Sequence, residues 1–125
     1  MAVDQNESKA VARADELYTC INEIIEKSLK EFPYVKELNN CMLGAVTYIK
    51  RAHDKPLKYG DMTTLERRND YQRKAMTQLD NVMYLLDIAK EHDLVPEKQY
   101  KQAKFIAYDC KNRVFTWMRT DSMNF

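Results

Sequence analysis

The chain has 125 residues and a net charge of +1, with 45% apolar and 31% charged residues. That length supports one domain, residues 1–125, with a modest core; the apolar content excludes disorder over most of it, and the near-zero charge excludes a uniformly basic nucleic-acid protein. Only two glycines and three prolines leave few places to turn, which points to long helices with short connections rather than hairpins.

The longest near-apolar run, residues 41–49, is far shorter than the roughly 20 residues a bilayer span needs, so no membrane partner is expected. The opening MAVDQNESK is polar and acidic, whereas a secretory signal is basic and then apolar. Cys20, Cys41 and Cys110 form an odd set without C-x-x-C spacing. They read as buried thiols in a reducing cytoplasm, neither a disulfide framework nor a zinc site.

The first predicted helix covers about residues 8–31. Val11, Ala14, Tyr18, Ile21, Ile25 and Phe32 follow three- and four-residue steps, and Leu17, Ile24 and Leu29 widen the stripe. Pro33 ends it by disfavouring a helical Phe32 and removing a backbone donor. The second helix begins near residues 34–37 and runs to His53 on Leu38, Cys41, Met42, Ala45, Val46, Ile49 and Ala52. Gly44 inside it costs about 1 kcal/mol relative to alanine, which predicts close approach of another backbone. The polar stretch DKPLKYGD, residues 54–61, is the longest loop.

The third helix is expected to open on a capping box, with Thr63 as cap and Glu66 reaching back. Its inward stripe is Leu65, Gln72, Ala75, Met76, Leu79, Val82, Met83, Leu86 and Ala89, with Gln72 the one polar step. A short connection makes the fourth helix its antiparallel neighbour, and Pro96 suits the first turn of that helix. Tyr100, Ala103, Ala107, Cys110, Val114 and Trp117 form its stripe, flanked by Ile106 and Met118. Residues 1–8 and 120–125 are expected to fray. The expected fold is all-α, an up-down-up-down four-helix bundle. Tyr100, Phe105, Phe115 and Trp117 exceed what one seam requires and are the expected oligomer interface.

No catalytic set, metal site or cofactor site is read from these residues. His53 and His92 lie on different elements without a helical partner, and no Glu-x-x-His pair or glycine-rich phosphate loop occurs. His53 reads as a solvated loop residue, and a di-metal bundle enzyme is the poorest of three functional classes. The charge, however, is unevenly spread. Residues 1–32 and 61–93 are net acidic, while residues 33–60 and 94–125 are net basic. Such alternation also suits simple pairing between neighbouring helices. Lys50, Arg51, Lys55, Lys58, Arg67, Arg68, Arg73 and Lys74 gather where the second and third helices meet, with Tyr59 and Tyr71 among them for base stacking. Lys98, Lys101 and Lys104 follow helical spacing on the fourth helix. Together these eleven cations are the candidate nucleic-acid-binding residues, with Arg51, Arg67 and Arg68 expected to hold phosphate bidentately.

The run Cys41-Met42-Leu43-Gly44 followed by Val46, Tyr48, Ile49 and Ala52 resembles the second helix of the accessory variability determinant proteins. These are the small four-helix-bundle partners of reverse transcriptases in diversity-generating retroelements. Leu85-Leu86-Asp87-Ile88-Ala89 and the connection through Leu94 to Pro96 are similar too, and the likeness covers about residues 15–120. It extends to the bundle proteins encoded in ribosomal-RNA intervening sequences. The resemblance implies a cyclic homopentamer with a central pore and a basic surface for a reverse transcriptase and its template RNA or cDNA. Members of the retroelement branch are typically strongly basic, whereas this chain is near neutral. The first expected function is therefore a non-catalytic adaptor binding a reverse transcriptase and RNA or single-stranded DNA. The alternative is a structural helical assembly of the intervening-sequence group with an unknown partner.

Overall fold

Buried positions recur at alternating steps of three and four in every helix of the computed structural model, which describes residues 5–124. Among the described residues there are four helices and no strand: α1 (Gln5–Ser28), α2 (Val35–His53), α3 (Met62–Glu91) and α4 (Glu97–Met123). In α3 the buried set is Leu65, Arg68, Gln72, Ala75, Leu79, Val82, Leu86 and Ala89. This is a heptad seam, the spacing that lets long helices pack nearly parallel. Helices α1 and α3 each pack against both α2 and α4, so the chain runs around a ring of four with one continuous core.

Small and large residues alternate along the seams. Ala10, Ala14, Ala45, Ala52, Ala75, Ala103 and Ala107 share the core with Leu17, Ile21, Met42, Ile49, Leu79 and Trp117, all essentially inaccessible. The α1 seam is phased on Ala10, Ala14, Leu17, Ile21 and Ile24, while Tyr18 from the expected stripe faces outward. Helix α1 stops at Ser28 rather than near residue 31. Leu29 and Phe32 remain buried in the bend, held by Phe32 N–H to the Leu29 carbonyl and Val35 N–H to the Phe32 carbonyl, both 3.1 Å.

Two local expectations are corrected. The cap of α3 is Asp61, not Thr63: its carboxylate accepts the Thr64 N–H at 3.3 Å and the Thr64 hydroxyl at 2.7 Å. Those bonds from Thr64 hold the Asp61 carboxyl below its ordinary range. Gly44 meets no backbone. A Cβ there would lie 3.2 and 3.3 Å from Cγ and Cδ of the Gln78 side chain on α3. At the chain ends α1 begins at Gln5 and α4 runs to Met123, and Glu7 and Asp121 are both buried and partnered. Residues 1–4 and 125 lie outside the described part.

The turn from α3 to α4 closes with Asp93 N–H on the Lys90 carbonyl and Leu94 N–H on the Ala89 carbonyl, both 3.0 Å. Asp93 takes the left-handed conformation this turn demands, at φ 56°. Pro96 then serves as the cap of α4 rather than as its first residue.

Candidate nucleic-acid interface and the charged layer beneath it

The first residues of α1 and α3 and the last residues of α2 and α4 share one end of the bundle, and there the core changes character. The heptad steps continue, but the residues on them are Glu7, Arg68, Gln72 and Asp121. Arg68 is 4% exposed. Its Nε donates to Asp121 Oδ2 at 3.0 Å and its Nη2 to Asp121 Oδ1 at 2.9 Å, a bidentate pair. Nη2 also donates to Glu7 at 3.1 Å, and Gln72 donates its amide to Asp121 at 2.9 Å. Burial alone would lower the Arg68 pKa, but the bonds and charges of Asp121 and Glu7 outweigh it and raise it above its ordinary value. The guanidinium also lies 5.2 Å over the ring of Trp117.

This layer corrects three expectations. Arg68 is not a phosphate ligand, because its donors are already committed inside the protein. His53 is not a solvated loop residue: it ends α2 and places Nδ1 2.6 Å from Glu7 Oε2. Trp117 is not an interface residue, being fully buried against Arg68 and the core. Tyr100 is also withdrawn from the surface, half-buried with its hydroxyl donating to Asp87 and accepting from Lys104 at 3.1 Å.

Arg68 has one further bond, and it bears on the surface. Nη1 donates to the Lys55 carbonyl at 2.6 Å, so the buried guanidinium pins the loop of residues 54–61 onto the bundle end. That loop carries Lys55, Lys58 and Tyr59, the last 85% exposed. Exposed Arg51 precedes it and exposed Arg67 follows it, and among the described residues no ion pair engages Arg51, Lys55, Lys58 or Arg67. Lys55 and Arg67 line one groove with Thr63, Glu66, Asp70 and Tyr71.

The other predicted cations are placed differently. Lys50 pairs with Asp15 at 3.2 Å and Lys74 with Asp70 at 3.0 Å. Tyr71 is half-buried and stacked on Tyr48 at 6.3 Å, so its ring is not free for a base. Lys98, Lys101 and Lys104 sit near the start of α4, at the opposite end of a helix roughly 40 Å long. Lys101 pairs with Glu97 at 3.6 Å and Lys104 with Asp87 at 2.8 Å. Arg73 is exposed on the α3–α4 side, across α3 from Arg67. The eleven cations therefore form no single surface; Arg51, Lys55, Lys58 and Arg67 are brought together.

No protein-family model, curated protein or solved structure matches this chain. The geometry therefore stands on its own.

No helix among the described residues is long and apolar enough to cross a membrane, and none of their His, Cys, Asp and Glu side chains form a group of three able to hold a metal. Glu7 and Asp121 come close, but Arg68 lies between them. The thiols are held protonated: burial pushes Cys110 up to about 12, and raises Cys20 and Cys41 as well. Cys110 donates to the Ala10 carbonyl at 3.6 Å.

Glu7, Asp121 and His53 were missed as members of this end. A signal existed, since Glu7 precedes Ala10 and Asp121 follows Trp117 by heptad steps that extend the apolar seams.

Proposed function

We propose that this protein is a non-catalytic, oligomeric adaptor that binds RNA or single-stranded DNA. The reading is supported by Arg51, Lys55, Lys58 and Arg67, which make no ion pair among the described residues, beside exposed Tyr59, on and around a loop that buried Arg68 ties down through the Lys55 carbonyl. A cluster of guanidinium and ammonium groups without direct ion-pair partners attracts phosphate, and an exposed ring beside it offers a stacking platform. Contacts of this kind carry little base information, so binding is weakly sequence-dependent. The reverse-transcriptase partner rests on the resemblance of residues 41–52 and 85–96 to the accessory variability determinant proteins.

Assembly is part of the same proposal. Phe105, at 62% exposed, and exposed Tyr108 lie on the outer face of α4, and Arg13 of α1 stands over the Phe105 ring at 5.8 Å. A second copy covering these rings would bury apolar surface worth a few kcal/mol per aromatic side chain. The expected assembly is a cyclic homopentamer. If only this face functions, the protein is instead a structural helical assembly.

Gel-shift and anisotropy measurements at low salt, with structured RNA and with single-stranded DNA, test the first part. Binding that salt weakens supports the adaptor; no binding to either, alone or with a co-expressed reverse transcriptase, leaves the structural assembly in its place. Light scattering tests the second part, and a monomer throughout the micromolar range would refute it.

A further inference from the structure

A second groove lies at the same end of the bundle, between α3 and α4, lined by Asn69, Arg73, Met118, Arg119, Ser122 and Met123. None of its described lining residues is acidic. Arg73 and Arg119 are exposed and make no ion pair among the described residues, unlike Arg13, Arg68 and Arg113 elsewhere in the chain. The Arg119 guanidinium stands 5.9 Å over the ring of Phe115, which is 47% exposed. Asn69 adds an acceptor: its Oδ1 is buried and finds no donor among the described residues.

These features make three separate demands on a ligand. Two arginines in one groove want an anion with several oxygen acceptors, the chemistry of a phosphate. A buried carbonyl oxygen without a donor wants an N–H or O–H, because leaving it unmade costs free energy. Two thioethers and an exposed phenyl ring want a flat, polarisable apolar surface. A carboxylate peptide meets the first demand without a planar group, and an inorganic phosphate meets the first alone. A nucleotide meets all three, through its phosphate, its ribose hydroxyl or base N–H, and its base.

We infer that the α3–α4 groove binds one nucleotide of a single-stranded RNA or DNA, with phosphate on Arg73 and Arg119 and the base against Met118 and Phe115. This rests on the nucleic-acid reading of the α2–α3 loop and deepens it: the strand meets the bundle end on both flanks of α3. A duplex would keep its bases stacked inside, so the groove selects single strands.

The test compares the unaltered protein, an Arg73→Gln/Arg119→Gln variant and an Arg51→Gln/Lys58→Gln/Arg67→Gln variant. All substituted residues are exposed, and circular dichroism checks the fold. Affinity for a labelled uridine oligonucleotide of about twenty residues is followed against salt, and UMP is titrated separately. The groove variant should flatten the slope of log K against log salt by about 0.7, the value for the one phosphate that Arg73 and Arg119 share on a single strand. A 4-thiouridine probe should crosslink to the segment holding Phe115 and Met118. If the groove variant keeps the full slope while the loop variant loses it, the groove is overturned and the adaptor reading stands. If the unaltered protein binds neither the oligonucleotide nor UMP, both fall. If UMP binds through the two arginines and the oligonucleotide binds no tighter, the groove is a mononucleotide pocket and the strand assignment is overturned.

Discussion

Arg68 and Asp121, on α3 and α4, meet through two parallel hydrogen bonds of 3.0 and 2.9 Å in the buried end of the bundle. Each occupies a heptad position that an aliphatic residue fills elsewhere, and Glu7 and Gln72 complete the layer. A charged layer at one end gives the four helices a unique register, because sliding any seam by a heptad would leave Arg68 facing apolar side chains. The same residue ties this register to the surface through the Lys55 carbonyl.

Removing one member of this layer should cost far more than removing an exposed charge. Asp121→Leu leaves the Arg68 guanidinium buried with its main partner gone, a loss of about 3–5 kcal/mol. Arg67→Gln, one residue from Arg68 but exposed, should change stability by less than about 0.5 kcal/mol. Urea denaturation of both variants measures the contrast. Equal effects would mean that the buried layer contributes no more than a surface charge.

At Gly44 the close neighbour is a side chain rather than the expected backbone. A new Cβ displaces Gln78 Cγ and Cδ, the middle of a flexible side chain, rather than backbone. Gly44→Ala should therefore be neutral to slightly stabilising. In a Gln78→Ala background it should gain the full helix-propensity difference of about 1 kcal/mol. Gly44→Leu, which overfills the contact, should lose ~1–3 kcal/mol. A destabilising Gly44→Ala in the Gln78→Ala background would show that something other than Gln78 holds the site.

The thiols divide by burial. Cys110 is fully buried, whereas Cys20 and Cys41 are partly exposed. Native protein treated with iodoacetamide at mildly alkaline pH should be alkylated at Cys20 and Cys41, and at Cys110 only after unfolding. Cys110 also predicts a pH dependence. Its folded-state pKa of about 12 lies above the ordinary value of 9.0, so between these the folded state alone keeps the proton. Stability should fall as pH rises through that window, and Cys110→Ala should reduce the slope. Reaction of Cys110 as fast as Cys20 in the native state would contradict the burial.

Apolar spacing is the part of this fold most legible in the chain. Leu79, Val82, Leu86 and Ala89 announce a helical face in any window of helix length, and the connections at Pro33, Gly60 and Pro96 separate four such windows. Which of two adjacent like residues faces inward is harder to read. Arg67 and Arg68 are the same letter, and only a rotation of roughly 100° per residue sends one to solvent and the other into the core. The exposed loop patch was legible because local sequence brings Arg51, Lys58 and Arg67 together. The groove between α3 and α4 was not, since Asn69 and Arg119 are joined only by the packing of two distant helices.

The salt dependence of single-strand binding by the loop variant Arg51→Gln/Lys58→Gln/Arg67→Gln tests the central claim most directly. Each phosphate contact contributes ~0.7 to the slope of log K against log salt, so three lost contacts should flatten it by about 2. Helix content, oligomer size and urea midpoint should stay unchanged, because none of the three residues is buried. A slope identical to that of the unaltered protein would contradict the account, showing that the cations around the Arg68-pinned loop do not meet nucleic acid.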